Sequence, residues 1–160
     1  MSLFLLIFSF LLPSGKSINE IRSMYHASIY SAEQSKEIVS YFDNEPGKTP
    51  LEIAYEGASR MVRAKHLFFP TDKLATFQKG KILIEEAVKK EPSSVEIRYL
   101  RYSIQLESPG FLGYRQNLVE DRKFLIEQYK TIQDAELKLR VKDFLIKEAK
   151  LSIEERKIIK

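Results

Sequence analysis

Along most of this chain, apolar residues recur at the three- to four-residue spacing of one helix face. In residues 73–90, for example, Phe77, Ile84 and Val88 form one such stripe. No segment combines β-branched residues with strict alternation and turn signals, so we expect no sheet. The pattern predicts an all-α protein of about six to seven helices. Their predicted ranges are 18–43 (with a break near Ser31 as an alternative), 50–67, 73–90, 94–107, 115–131 and 134–150, followed by a tail helix from 153.

Two kinds of local signal mark the ends of these helices. Prolines such as Pro50, Pro70 and Pro92 lie between the apolar segments, where they cannot break a helix interior. Ser/Thr-x-x-Glu sequences open several segments, and in this capping box the two side chains satisfy free backbone amides at a helix start. The predicted capping boxes are Ser17–Glu20, Thr49–Glu52, Ser93–Glu96 and Ser152–Glu155.

Two stretches of the chain read as copies of each other. Thr49–Tyr55 recurs 44 residues later as Ser93–Tyr99, and Lys81–Glu85 recurs 42 residues later at 123–127. A repeat of this length is typical of stacked helical hairpins, each of which is too small to bury its apolar face alone. We therefore expect hairpin repeats over about 49–92 and 93–132.

The segment from Phe77 to Pro92 resembles the second half of a tetratricopeptide repeat (TPR), through the relative places of Gly80, Ala87 and Pro92. The small side chains of Gly80 and Ala87 would let a neighbouring helix approach closely. The resemblance implies antiparallel hairpins stacked as a TPR-like bundle or short solenoid. It also implies that the first helix of each hairpin lines a concave surface.

A second resemblance covers residues 20–130. Its motifs are AYEGA at 54–58, AKH at 64–66, EIRYLRYSIQ at 96–105 and PGFLGY at 109–114. These look like a group of uncharacterised exported TPR-like α-helical proteins of Gram-negative bacteria. The resemblance implies export and a helical hairpin fold, and it carries no activity to this chain.

The first residues differ in composition from the rest of the chain. The segment Leu3–Leu12 is apolar except for one serine and is followed by a proline and small residues. Ten residues span roughly 15 Å as a helix, about half of the hydrocarbon thickness of a bilayer. We therefore expect a signal peptide over 1–17 and a single domain over 18–160 that is exported to the periplasm. An uncleaved anchor or a buried first helix is the alternative; after cleavage we expect no transmembrane segment.

Composition and motifs exclude several kinds of chemistry. The 160 residues include no cysteine, so disulfides, thiolate metal sites and cysteine nucleophiles are absent. The formal net charge of +4 is mild and its bases are interleaved with acids, so we expect no nucleic-acid partner. His26 and His66 lack a metal-binding spacing, and no G-x-S-x-G or S-x-x-K motif occurs. We expect no metal, no cofactor and no enzymatic activity.

The best candidate surface lies on the fourth predicted helix. Arg98, Arg101 and Gln105 share one helix face, and Tyr99 and Tyr102 lie beside them. Arginines next to aromatic rings can hold a carboxylate or a phosphate. In the first repeat the three polar positions are Ala54, Gly57 and Met61. The alternative is structural, with the arginines buried against acids such as Glu52, Glu56, Glu120 or Asp121.

The loop 108–114 is a second candidate. Phe111 and Tyr114 are too apolar for a simple linker, and two glycines permit unusual backbone angles. The loop either forms a lip for a partner or tucks its aromatic side chains under the core. By contrast, the adjacent acids at 85–86 and 154–155 point to different helix faces, which indicates solvated charge.

Together these features predict a non-enzymatic exported helical-repeat scaffold that binds a protein or peptide partner. The alternative is a module that binds a small anionic ligand through Arg98 and Arg101. The sequence leaves the oligomeric state open. The predicted binding residues are Arg98, Arg101, Gln105, Tyr99, Tyr102, Phe111 and Tyr114.

Overall fold

A computed structural model describes residues 15–148 and 151–159. Within these ranges the chain forms eight α-helices, two short 3₁₀ turns and no strand, so the all-α prediction is confirmed. Residues 1–14, which carry the apolar run of the predicted signal peptide, lie outside the described residues. The helices are α1 Ile18–Ser28, α2 Ala32–Asn44, α3 Pro50–His66, α4 Pro70–Lys90, α5 Val95–Glu107, α6 Leu118–Gln128, α7 Ala135–Glu148 and α8 Ile153–Ile158.

The helix boundaries follow local signals in the sequence. The alternative of a break near Ser31 is confirmed: Ser31 has an extended backbone, and its hydroxyl accepts a hydrogen bond from the amide of Gln34 at the start of α2. Pro50 and Pro70 occupy first helical positions, where a missing N–H leaves no hydrogen bond unmade. Helix α4 therefore begins at Pro70 rather than at residue 73.

Three of the four predicted capping boxes are present, at the starts of α1, α3 and α8. The fourth prediction is wrong. Helix α5 is capped by the hydroxyl of Ser94 rather than by that of Ser93. Glu96 does not reach back to the helix start, because its carboxylate accepts hydrogen bonds from Arg22 and Tyr55 in the interior.

The helices form hairpins that lie side by side. Helices α1, α3, α5 and α7 contact one another in that order, and α1, α3 and α5 each pack against the helix that follows. Nε2 of His66, at the end of α3, is 3.1 Å from the carbonyl oxygen of Ser28, at the end of α1, so these two helices run in the same direction. The described helices thus form a bundle of antiparallel hairpins, and the TPR-like solenoid stays a prediction.

Helix α5 separates two groups of buried apolar side chains. The first core, which includes Phe42, Tyr55 and Ile84, joins α1 to α4 with one face of α5. The second core, which includes Leu125 and Leu145, joins the other face of α5 to α6, α7 and the segment around α8. Because α5 contributes to both cores, its polar side chains have to be accommodated inside the molecule.

Helices α3 and α4 touch through their backbones at Gly57 and Gly80. A Cβ atom at Gly57 would lie 2.7 Å from the carbonyl oxygen of Gly80, and a Cβ atom at Gly80 would lie 2.5 Å from that of Gly57. Real Cβ atoms do not approach so closely, so only glycine allows this helix spacing. The predicted smooth strip of α4 is confirmed, since Gly80 and Ala87 are both buried.

Candidate functional site

Arg98 and Arg101 lie inside the molecule and are 6% and 4% exposed. Both bind Asp121 of α6, whose side chain is fully buried. In Arg101, Nε donates to Oδ2 of Asp121 at 2.7 Å and Nη2 donates to Oδ1 at 2.8 Å. Nε of Arg98 donates to the same Oδ1. One carboxylate therefore holds two guanidinium groups and joins α5 to α6.

Two further carboxylates bind these arginines, so that three acids face two guanidinium groups. Nη2 of Arg98 donates to Glu120 at 2.6 Å, and Nη1 of Arg101 donates to Glu85 of α4 at 3.0 Å. The hydroxyl of Tyr114 also donates to Glu85, at 2.6 Å. The prediction that Glu85 carries only solvated charge is therefore wrong, because both Arg101 and Tyr114 reach it from the interior.

The predicted partner-binding face of α5 points into the bundle. Gln105 is fully buried and shares two hydrogen bonds with Asn117, each 3.2 Å long. Phe111, in contrast, is 87% exposed. The expectation of an exposed Arg98/Arg101/Gln105 surface is corrected, because Asp121 and Asn117 engage its polar ends within the fold. The buried members of the predicted set are Arg98, Arg101, Gln105, Tyr99, Tyr102 and Tyr114.

A second buried network, which sequence reasoning missed, links α1 to the middle of the molecule. Nε and Nη2 of Arg22 donate to the two oxygens of Glu96 at 2.7 and 2.6 Å. The hydroxyl of Tyr55 donates to Glu96 at 2.6 Å, and Nη1 of Arg22 donates to Asp134 at 2.8 Å. These residues come from α1, α3, α5 and the segment before α7, so the network fixes the first helices of the hairpins relative to one another.

The same four helices, α1, α3, α5 and α7, enclose an open cleft of about 310 Å³ at their C-terminal halves. This volume is at the lower end of the range for ligand pockets. Helix α5 lines the cleft with Tyr99, Ser103 and Ile104, and α7 contributes Phe144. Tyr99 is thus the one member of the predicted binding set that lines this cleft.

Two buried tyrosines line the cleft with hydroxyl groups that have no protein partner. Tyr25 and Tyr99 are 4% and 8% exposed, and neither hydroxyl makes a hydrogen bond within the described residues. The hydroxyls of Tyr55 and Tyr114, in contrast, each donate to a carboxylate at 2.6 Å. Among the described residues the one fully buried side-chain polar atom without a hydrogen bond is Oγ of Ser59, so water reaches the hydroxyls of Tyr25 and Tyr99. A polar group that enters the cleft can replace that water as their hydrogen-bond partner.

His26 lies beside Tyr25 in the lining, with the two ring centroids 5.4 Å apart. Burial, followed by the charge of Arg140, lowers the pKa of His26 to about 4. Its imidazole is therefore neutral at pH 7 and can both donate and accept a hydrogen bond. Burial also raises the pKa of Tyr99 to about 12. These lining groups are thus uncharged at neutral pH but able to form hydrogen bonds.

Charged side chains surround these uncharged groups. Two of the bases are paired within their own helix: Arg140 lies 2.7 Å from Glu136, and Lys147 lies 3.3 Å from Glu148. These pairs offset part of the positive charge around the cleft, although the charge of Arg140 still acts on His26. The lining residues that form no ion pair within the described part of the chain are Glu107, Asp143 and Lys65.

Exposed apolar side chains are concentrated at the same end of the bundle. The connections that follow α1, α3 and α5 carry Tyr30, Phe68 and Phe111, which are 89%, 86% and 87% exposed. In the connections 45–49 and 91–94, at the opposite end, no large apolar side chain is exposed. Single exposed apolar residues are ordinary, but their concentration at one end favours contact with another molecule there.

Part of this site could be predicted from the sequence. The TPR resemblance implies that first helices line a shared surface, and the cleft does lie between first helices. Which face of α5 lines it could not be read from spacing, because both faces carry polar and aromatic residues. The prediction that Glu155 carries only solvated charge is wrong, since Glu155 accepts a hydrogen bond from Arg122 at 2.6 Å, whereas its predicted capping box at the start of α8 is present.

In comparisons with protein-family models, curated proteins and solved structures, no match to this chain was found. The exported family that the sequence resembles therefore stays a prediction. Across residues 15–148 and 151–159, no helix has the length and apolar character needed to cross a membrane. The same residues contain no group of His, Cys, Asp and Glu side chains that could hold a metal ion.

Proposed function

We propose that this protein is a non-enzymatic scaffold that binds a segment of a partner polypeptide in the cleft between α1, α3, α5 and α7. The observation that carries the proposal is the pair of buried tyrosines, Tyr25 and Tyr99, whose hydroxyls have no partner among the described residues. Water reaches these hydroxyls, and backbone groups of a bound segment would replace it as their hydrogen-bond partners. Ile104 and Phe144, which also line the cleft, offer apolar contact to its side chains.

The surroundings of the cleft favour a polypeptide over a small ligand. Tyr30 lines the cleft and is 89% exposed, and Phe68 and Phe111 extend the exposed apolar surface to the neighbouring connections. A small ligand would leave these side chains in water, whereas a polypeptide partner could cover them. Aromatic residues of this kind are enriched in protein interfaces.

A binding role fits the chemistry of the cleft better than a catalytic one. Acid–base and nucleophilic catalysis need a base within hydrogen-bond reach of a nucleophile or of an orienting group. Within the described residues, His26 makes no hydrogen bond to a hydroxyl or a carboxylate. Its pKa of about 4 also makes it a weak base at neutral pH.

The alternative, a small anion bound at Arg98 and Arg101, has less support. Their guanidinium groups already bind Asp121, Glu120 and Glu85. An incoming anion would have to displace the fully buried carboxylate of Asp121. Export to the periplasm is part of the proposal and rests on the apolar run at residues 3–12.

A peptide-display selection on the whole protein tests the proposed function. Ser103 lines the cleft, so the indole of Ser103→Trp would occupy it. Ser40→Trp is the matched control, because Ser40 is exposed on α2 outside the cleft. We expect selected peptides to bind Ser40→Trp as they bind wild type, and to bind Ser103→Trp at least about tenfold more weakly.

Chemical-shift changes of the backbone amides of Val62 on α3 and Phe144 on α7, which both line the cleft, locate the bound peptide. Circular dichroism melting of both tryptophan variants checks that they fold. Peptides that bind Ser103→Trp as tightly as wild type would show that the cleft is not the site. A selection that yields no binder at all would contradict the peptide-binding role itself.

A further inference from the structure

The cleft lining contains three acids and three bases, but two of the bases and one of the acids form ion pairs on α7, which leaves an excess of one unpaired acid. Glu107 and Asp143 form no ion pair within the described residues. Among the bases of the lining, only Lys65 likewise forms no ion pair there. Both acids are exposed to solvent. This excess is local, because the chain as a whole has a formal net charge of +4.

Two of the four helix ends, those of α1 and α5, add to the negative potential of the cleft. It lies at the C-terminal halves of α1, α3, α5 and α7, and a helix C-terminus carries partial negative charge on its free carbonyl groups. The last turn of α3 carries Arg63, Lys65 and His66 and that of α7 carries Lys147, whereas α5 has no basic residue in its last turn and α1 has only His26 there. Because His26 is neutral at pH 7, the ends of α1 and α5 have no compensating positive charge of their own.

Aromatic groups complete the lining. The faces of the Tyr30 and Phe144 rings can attract a cation. The phenolic oxygens of Tyr25 and Tyr99 can accept hydrogen bonds, and neither has a donor within the described residues. The set of free acids, aromatic faces and acceptor oxygens is therefore suited to a positively charged group with several N–H donors.

We infer that the cleft takes a lysine or arginine side chain of the bound polypeptide segment. The inference rests on the proposed function, because it names the residue type that the partner presents there. The cationic head lies near Glu107 and Asp143 and donates to the hydroxyl oxygen of Tyr25 or Tyr99. Its aliphatic stem packs on the ring of Phe144.

An acidic side chain would find fewer available cationic groups in the lining. Arg140 and Lys147 already bind Glu136 and Glu148, and neutral His26 offers a hydrogen bond without charge. Lys65 would be the remaining cation. The same lining therefore discriminates against glutamate and aspartate at this position.

Capped tripeptides that differ in the central residue test the inference. The probe is acetyl-Leu-Arg-Leu-amide, and the glutamine and glutamate versions are the matched controls. Each is titrated into the whole protein to about 5 mM while the amide chemical shifts of the cleft are recorded. We expect the arginine peptide to bind at least about tenfold more tightly than the glutamine peptide, and the glutamate peptide to bind most weakly. Its affinity should also fall as salt is raised from about 20 to about 300 mM.

Variants of the free acids show whether they recognise the cation. Glu107→Gln and Asp143→Asn each remove a charge without changing shape, so each should reduce the preference for arginine over glutamine by about three- to tenfold. Glu37→Gln is the control, because Glu37 is an exposed acid on α2 outside the cleft. It should leave the preference unchanged.

The outcomes separate the inference from the proposed function. Equal binding of the arginine and glutamine peptides in the cleft, or tighter binding of the glutamate peptide, would overturn the inference while peptide binding stands. No saturable shift with any of the three peptides would also overturn the inference, and the display selection then decides the function. A dimer, detected by sedimentation and lost in Ser103→Trp, would assign the cleft to a second copy of the chain and would equally overturn it.

Discussion

The hairpins α3/α4 and α5/α6 begin with related sequences but are held together by different interactions. In the first hairpin, Gly57 and Gly80 allow the two backbones to touch. In the second, the residue that matches Gly57 is Arg101, and it binds Asp121 of the partner helix through two hydrogen bonds. The first contact excludes side chains, whereas the second is made by side chains alone.

This difference shows how one hairpin pattern can serve two purposes. A contact between glycines leaves no space for polar groups, so the interior between α3 and α4 is apolar. Arginines on α5 need an acid opposite them, because a buried charge without a partner is strongly destabilising. With Arg98 and Arg101 satisfied on that face, the face of α5 that carries Tyr99 and Ser103 is left to line the cleft.

Removal of the acid in the second hairpin has the largest expected effect. Asp121→Ala leaves two buried guanidinium groups without their shared partner, so the free energy of unfolding should fall by about 3–5 kcal/mol. Urea denaturation followed by circular dichroism measures this change.

The matched control replaces the three buried members of the charged group, with Arg98→Met, Arg101→Leu and Asp121→Leu combined, and leaves the more exposed Glu85 and Glu120. No buried charge is then left unpaired, so this variant should be about as stable as wild type or more stable. A loss of less than about 1 kcal/mol in Asp121→Ala would mean that the charges do not hold the second hairpin together.

The corresponding change in the first hairpin is Gly57→Ala. The new Cβ atom would lie 2.7 Å from the carbonyl oxygen of Gly80, so α3 and α4 must separate. We expect a loss of about 2–3 kcal/mol in the free energy of unfolding from overpacking, although alanine favours the helix by about 1 kcal/mol. Gly110→Ala is the control, because a Cβ atom there meets nothing within 4 Å. Equal stability of the two variants would show that the backbones do not need this contact.

Substitutions at the N-caps of α3 and α5 should have smaller effects on stability. Thr49 forms a complete capping box, so Thr49→Ala should lower the free energy of unfolding by about 1 kcal/mol. Ser94→Ala should cost about 0.5–1 kcal/mol, whereas Ser93→Ala should be close to neutral because Ser94 is the cap. Thermal denaturation of the three variants gives the order of their stabilities. A larger loss of stability in Ser93→Ala than in Ser94→Ala would show that Ser93 caps α5, as the sequence predicts.

The smallest expected effect is the pH dependence of the second hairpin. The hydrogen bond from Asn117, opposed by slight burial and helped by the charge of Arg98, keeps the pKa of Glu120 below its ordinary value. Its contribution is therefore present above the ordinary glutamate pKa and is lost as the pH falls through the lowered value. Since Glu120 is mostly exposed, Glu120→Gln should cost about 0.5 kcal/mol or less at pH 7.

Urea midpoints of wild type and Glu120→Gln, measured across the acid range, check this prediction. The difference between them should vanish at a pH below the lowered pKa. The cost of Gly57→Ala should stay constant over the same range, because no titratable group forms that contact. A pH-independent difference for Glu120→Gln would show that its charge is not what stabilises α5 against α6.

The sequence by itself determined the helices, their order and most of their ends. Apolar spacing, Pro50 and Pro70 at helix starts, and three capping boxes are signals that act within a turn or two of the residue that carries them. The smooth strip at Gly80 could also be predicted, since it depends on the absence of a side chain. The predicted capping box of Ser93 and Glu96 did not form, because the carboxylate of Glu96 binds Arg22 instead.

The tertiary structure decided which faces are buried and which charges meet. Arg22 and Glu96 are 74 residues apart in the chain, and Asp121 reaches Arg101 from the next helix. Such interactions depend on distance and burial, which helix periodicity does not specify. The cleft has the same origin, because its lining comes from four helices that are brought side by side when the chain folds. Residue types could suggest that Tyr99 binds something, but only packing shows that its hydroxyl is left without a partner.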